Sequence, residues 1–179
     1  MEFEEAYVSL PEEGYTYGYV PRPVAVVCVK DNPFTVSHHT PINRNPFLYA
    51  VSVQKDNYSY QLLQQSEDFT VNFLPYEFLK EAHLIGKTHG NEVNKWELTK
   101  LKPIKGKSVE SFMILGSLLI YECKKIEVLD FPDHALLLGL VVQKHYLRGK
   151  LKPKKVRYIL FHGKNFYSTH IKPKRHTLK

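Results

Sequence analysis

The chain has little cysteine, little methionine and a single tryptophan, and no acidic residue follows Asp133. Two cysteines, Cys28 and Cys123, cannot build a disulfide framework or a cysteine metal knuckle, and both lie in apolar runs where a thiol behaves as a small hydrophobe. No apolar run approaches the length a helix needs to cross a bilayer. The acidic, apolar-poor start Met1-Glu-Phe-Glu-Glu5 lacks the basic and apolar regions of a secretory leader, so the expectation is a cytoplasmic protein with no membrane partner. Internal repeats and low-complexity stretches are absent as well. What remains is one domain over 1–179, long enough to bury a core without covalent staples.

The formal charge is +7, and it is unevenly spread. Everything after Asp133 is basic or neutral, while the preceding part is net acidic. Lys150-Leu-Lys-Pro-Lys-Lys155, Arg157 and Lys172-Pro-Lys-Arg175 make the end of the chain basic, including a tail at about 168–179. Such a segment can attract nucleic acid or dinucleotide phosphates, or it can simply be solvated lysine in loops.

Val24 to Val29 is a short, branched, continuous apolar run fenced by Pro23 and by Lys30-Asp-Asn-Pro33, the pattern of a buried strand entering a turn. Phe47 to Gln54 has the same character. Lys55-Asp56-Asn57 then breaks the strand and offers capping side chains, and Tyr58, Leu62 and Leu63 follow at helical spacing. Phe69 to Leu74 is strand-like, Pro75 suits a first helical turn, and Phe78, Leu79, Ala82 and Ile85 continue with helical periodicity to an expected stop at Gly86. From Gly86 to Gly106 a polar excursion carries Trp96, whose large ring is expected to anchor the loop in the core. Phe112 to Leu129 and Ala135 to His145 form two long runs around the turn Asp130-Phe-Pro-Asp133, and Tyr158 to Phe161 with Phe166-Tyr167 form a final hairpin. Strand–helix alternation ceases after Gly86, which favours a small antiparallel barrel over a doubly wound parallel sheet.

Several polar residues fall where chemistry is possible. At Lys55-Asp-Asn-Tyr-Ser59 a helix start offers unpaired N–H groups, with Ser59 adding a hydroxyl and Lys55 a charge; the alternative is that Asp56 or Asn57 caps the helix and Ser59 faces solvent. Ser37, His38, His39 and Thr40 form a polar cluster flanked by proline. Neighbouring histidines on a strand face opposite sides, so they do not chelate one metal together. Asp133-His134 precedes the strongest apolar strand, where an imidazole can donate to a ligand carbonyl or act as a tentative catalytic group, or simply cap the turn. Lys95 either pairs an anion or merely adjoins Trp96. A Cys28–His134 nucleophile and base has nothing in the sequence to activate it.

In order, Arg22-Pro-Val24, Asn32, Thr40-Pro41, Tyr58-Ser-Tyr60, Phe69-Thr-Val-Asn72, Gly90 to Thr99 with Lys95-Trp96, and Pro132-Asp-His134 resemble the flavin reductase-like, flavoredoxin-type family over roughly Val20 to Tyr167. The resemblance implies a mainly β fold with a few helices: an FMN-binding split β-barrel, antiparallel and of Greek-key type. It also implies a homodimer with FMN near the interface, NADH or NADPH as electron donor, and a small-molecule or protein acceptor. Asn32, Ser37, His38, His39, Thr40, Ser52, Lys55, Ser59, Lys95, His134, Phe166 and Tyr167 are its implied cofactor contacts. The chain departs from the pattern at His38, where relatives often carry an aromatic such as tryptophan, at Ser59 in place of threonine, and at Pro132 in place of glycine. Three functions follow as expectations: an NAD(P)H-dependent flavin or ferric reductase, an electron-transfer flavoprotein without its own nicotinamide site, and, most distantly, a basic nucleic-acid-binding barrel.

Overall fold

The computed structural model describes residues 18–150 and 156–170, with isolated positions 6 and 9. The basic run at 151–155 and most of the tail at 168–179 lie outside the described residues. In chain order the elements are β1 (Arg22–Pro23), β2 (Ala25–Val29), β3 (Asn32–Val36), β4 (His39–Arg44), β5 (Phe47–Gln54), α1 (Tyr58–Gln65), β6 (Asp68–Phe73) and a 3-10 turn (Tyr76–Phe78). They continue with α2 (Leu79–Lys87), α3 (Lys95–Leu98), β7 (Pro103–Ile104), β8 (Met113–Ile114), β9 (Leu119–Asp130), β10 (His134–Tyr146), β11 (Leu160–Gly163) and β12 (Phe166–Ser168).

Seven strands form one antiparallel sheet in the order β3-β2-β6-β9-β10-β5-β4. Its two edges, β3 and β4, are separated in sequence only by Ser37 and His38. Three Cα steps reach no more than about 11 Å, so the sheet has to curl until its edges meet. A barrel is forced by connectivity. His38 already belongs to the β4–β5 ladder, because the Ser52 N–H donates to its carbonyl at 2.8 Å, and the split therefore falls beside Ser37.

β2 shows why its sequence is apolar without alternation. Ala25, Val27 and Val29 point into the barrel with Tyr49, Val51, Phe69, Val71, Phe73 and Leu137, whereas Val26 and Cys28 join a second cluster with Leu74, Ala82, Ile85, Ile114 and Ile159. A strand buried on both faces has no polar side to display. Asn72, the polar member of the Phe-x-Val-Asn strand, is fully buried and structural: its side chain donates to Val26 O and Thr70 Oγ1, and it accepts from Ile114 N–H.

Two expected boundaries change. Gly86 does not stop its helix, which runs on to Lys87; a Cβ there would stand 2.4 Å from Thr35 Oγ1, so the glycine lets α2 lie directly on β3. The run from Phe112 to Leu129 is not one strand, because the chain turns at 115–118 between β8 and β9. The β9–β10 and β11–β12 hairpins form as expected. Trp96 packs against the second cluster, and its indole N–H donates to Asp31 O.

Fully buried Glu122 stitches the loop at 107–109 to β9. Its Oε2 accepts backbone N–H groups from Lys107, Ser108 and Val109 at 2.8, 2.7 and 3.2 Å, and its Oε1 lies 2.5 Å from His145 Nε2. Burial by itself would raise this carboxyl; the hydrogen bonds from His145, Ser108 and Lys107 outweigh it and hold the group below the usual carboxylate range.

Candidate functional site

A groove runs along β3, walled by α2 and by the start of α1. Its narrowest part is a cavity of about 70 Å³ lined by Phe34, Thr35, Asn57, Tyr58, Ser59, Ile85, Gly86, Thr88, His89, Gly90 and Lys95. Through Thr35 and Gly86 it meets a cavity of about 220 Å³ that includes Ser37, His83, Lys87, Phe161, Asn165 and Tyr167. Through Tyr58, Gly90 and Lys95 it meets another of about 440 Å³ on the opposite side.

The narrow part gathers several polar groups at the start of α1. Asn57 occupies the N-cap position of α1, yet its side chain makes no capping hydrogen bond; its carbonyl accepts the Tyr60 N–H at 2.9 Å. Ser59 is buried rather than facing solvent, and its hydroxyl accepts from Asn32 Nδ2 at 3.3 Å. Lys95 is also buried. Its ammonium donates to Pro33 O at 3.0 Å and Ile85 O at 3.2 Å, which commits two of its three N–H groups and ties β3 to α2. Desolvation brings its pKa down to about 8, against 10.5 for an ordinary lysine. Gly90 lets the Asn32 side chain lie against the backbone, since a Cβ there would stand 1.8 Å from Asn32 Oδ1.

The sequence-derived candidates divide into four groups. Asn32, Ser59 and Lys95, which are 27 and 36 residues apart along the chain, converge at the narrow cavity. Ser37 and Tyr167 line the 220 Å³ cavity, where Tyr167 stacks obliquely on Phe161 and its hydroxyl lies 3.1 Å from His83 Nδ1. His38, Ser52, Lys55 and His134 gather at the barrel mouth. His134 pairs with Gln54 in the ladder and approaches Asp133 at 3.2 Å. Burial, then the nearby charges of Arg22 and His134, lower the His38 pKa and favour neutral imidazole. Lys55 turns to Phe131 O and Asp130 and away from any committed role at the helix start.

Three candidates are placed apart from the groove. His39 packs on Tyr49 and Phe73 and hydrogen-bonds Tyr49 Oη and Pro23 O, which makes it a tie between the strands. Thr40 lies exposed on edge strand β4, and Phe166 is 64% exposed at the tip of the last hairpin. Burial pushes the Cys28 thiol up to about 12, which leaves it inert as a nucleophile. Among the described residues no metal-holding cluster exists, and no helix is long and apolar enough to cross a membrane.

Sequence reasoning missed His83, Lys87 and Gly90. His83 and Lys87 stand at i and i+4 beside the buried Ala82 and Ile85, so a helical wheel brings them to the rim of the packed face. Gly90 enters the sequence reading only as the start of the loop that resembles the family pattern, with no site role given to it.

Residues 17–170 match the family model described as the flavin reductase like domain. An uncharacterized protein of Archaeoglobus fulgidus is 26% identical over 113 residues, which span 63% of this chain and 64% of that protein's length. The crystal structure of an FMN-binding protein from Thermus thermophilus with bound 1-cyclohex-2-enone is 25% identical, has a TM-score of 0.84 and covers 96% of this chain and 98% of its own. A flavoredoxin from Methanosarcina acetivorans (23% identity, TM-score 0.85, 97% and 96% covered) and an NADH:FAD oxidoreductase from Streptomyces globisporus (22%, 0.76, 88% and 90%) have the same fold.

Proposed function

From the chain's membership of the flavin reductase-like family, we propose that it is an FMN-dependent oxidoreductase that takes electrons from NADH or NADPH and passes them to free flavin, ferric iron or a redox protein. The observation that carries this reading is the convergence of Asn32, Ser59 and buried Lys95 on a helix start whose capping side chain is disengaged. These groups already have partners within the fold, and a phosphate would add a charge-assisted acceptor for the N–H of Lys95 that remains. The donor set suits a dianionic phosphomonoester: the Tyr58 and Ser59 N–H groups at the start of α1, the Ser59 hydroxyl, and the third N–H of Lys95.

When bound, FMN supplies the acceptance of hydride and the onward passage of electrons. The chain's part is to grip and orient. Lys95 would hold the phosphate end, Thr35 and Gly86 form the floor that leads away from it, and Ser37 and Tyr167 lie at the far end of that path. His38, held neutral, would offer a donor or acceptor at the barrel mouth and no charge; His134 stands beside it as the candidate proton-handling group.

A second copy of the chain is proposed as partner. Leu136, Leu138 and Leu140 are half-buried on the outer side of β10, next to Leu129 and Leu48 in register, and association would cover them. Sedimentation should give twice the 20.9 kDa of one chain.

The deciding experiment is the visible spectrum of freshly purified protein, followed by NADH or NADPH without air. A yellow protein that bleaches supports the oxidoreductase. A yellow protein indifferent to both nucleotides supports the electron-carrier reading, which the likeness to a flavoredoxin favours. A colourless protein that takes up no FMN in excess refutes both and returns the basic segments to the nucleic-acid reading.

A further inference from the structure

The narrow cavity has two exits, and the FMN reading above sends the ring through the one toward Ser37. Toward Ser37 the path is lined by Phe161 and Tyr167. On the other side it opens into the compartment of about 440 Å³, bounded by Asp31, Asn32, Pro33, Tyr58, Leu62 and the 90–96 segment. With the ring on the Ser37 side, a group attached beyond a phosphate held at Ser59 and Lys95 meets that compartment, which shares Tyr58, Gly90 and Lys95 with the narrow cavity.

Its charge opposes one. Among the described residues Lys95 is the only cation lining it, and two of its N–H groups are committed to Pro33 O and Ile85 O. Asp31 and Glu92 both line it as carboxylates. Their loops are ordered: the Trp96 indole donates to Asp31 O, and Glu92 N–H and Val93 N–H both donate to His89 O.

We propose that Asp31 and Glu92 make the site selective for a flavin mononucleotide over a flavin dinucleotide. The inference rests on the FMN reading above. The adenylyl half of FAD would bring a second anionic phosphate against two carboxylates, whereas FMN ends at the Lys95 pocket and presents its full charge of nearly −2 there. Two partly solvated like-charge encounters together weaken binding by about tenfold.

The test titrates apoprotein with FMN and with FAD by fluorescence quenching, in the wild type and in Asp31→Asn/Glu92→Gln. Both substitutions are isosteric and exposed, and a thermal melt checks the fold. The expected result is FMN binding at least tenfold tighter than FAD in the wild type, with that ratio falling at least fivefold in the variant while FMN affinity stays within twofold. Raising salt from 0.05 to 0.5 M should narrow the wild-type ratio more than the variant's, because the repulsion that salt screens is present only in the wild type. FMN binding with an equal affinity for FAD, or with a ratio the double substitution does not move, overturns this inference and leaves the FMN reading standing. Binding of neither flavin removes both.

Discussion

Replacing Lys95 by methionine separates the cost of burying an ammonium from the use the protein makes of it. Folded Lys95 releases its proton at about 8, whereas an unfolded lysine holds it to 10.5. Between those values the unfolded chain carries the extra proton, so raising the pH stabilises the fold. The gap corresponds to a penalty of about 3 kcal/mol, fully present at pH 7 and nearly gone by pH 10.5. Methionine has similar length and carries no charge, so the variant escapes the penalty at every pH. It also strips donors from Pro33 O and Ile85 O, at about 1–3 kcal/mol each. Near pH 7 the gain and the loss roughly cancel. Near pH 10.5 only the loss is left. Urea denaturation of the FMN-free wild type and Lys95→Met at both pH values should therefore show the stability difference moving by about 3 kcal/mol in favour of the wild type as the pH rises. Parallel behaviour at the two pH values would refute the assignment of a desolvated, charged Lys95.

The same residue makes FMN affinity pH-dependent: a bound phosphate favours the ammonium, so binding should hold below pH 8 and weaken as the pH rises beyond it, measured by flavin fluorescence. Ser59→Ala with Lys95→Ala should weaken FMN by about a hundredfold, two charge-assisted contacts being lost, and an unchanged dissociation constant would remove both from the phosphate site. Gly90→Ala should displace the Asn32 side chain from Ser59, cutting FMN affinity and costing about 1–3 kcal/mol of stability. Glu122→Gln should cost about 3 kcal/mol in urea unfolding at pH 7, because one carboxylate oxygen serves three backbone donors. The Glu122 carboxyl is held below its ordinary range, so its contribution is present above pH 4.5 and fades as the pH falls beneath that value; wild type and variant should converge in acid.

Strands were legible where local pattern and tertiary environment agree. β5 is bounded at Phe47 and Gln54 as its composition predicts, and the β9–β10 turn falls at the Asp-Phe-Pro-Asp stretch. Helix α2 was misjudged at its end because a glycine reads as a stop in isolation, while here its missing side chain is what lets helix and sheet touch. The candidate site was half legible. Asn32, Ser59 and Lys95 stand out by residue type and by resemblance, but the same reasoning selects His39, whose two ring nitrogens are spent on Tyr49 and Pro23.

The amino-acid order alone determined the strand-rich class, the family and the presence of a polar helix start after β5, since each is written in spacing and residue type over a few positions. Tertiary structure alone decided which polar residues meet. The two-residue link at Ser37 and His38 closes the sheet, closure sets β3 against α2 and α1, and only then does a lysine 36 residues from Ser59 become a buried cation beneath it. Convergence of that kind depends on how distant segments pack, which no local periodicity encodes.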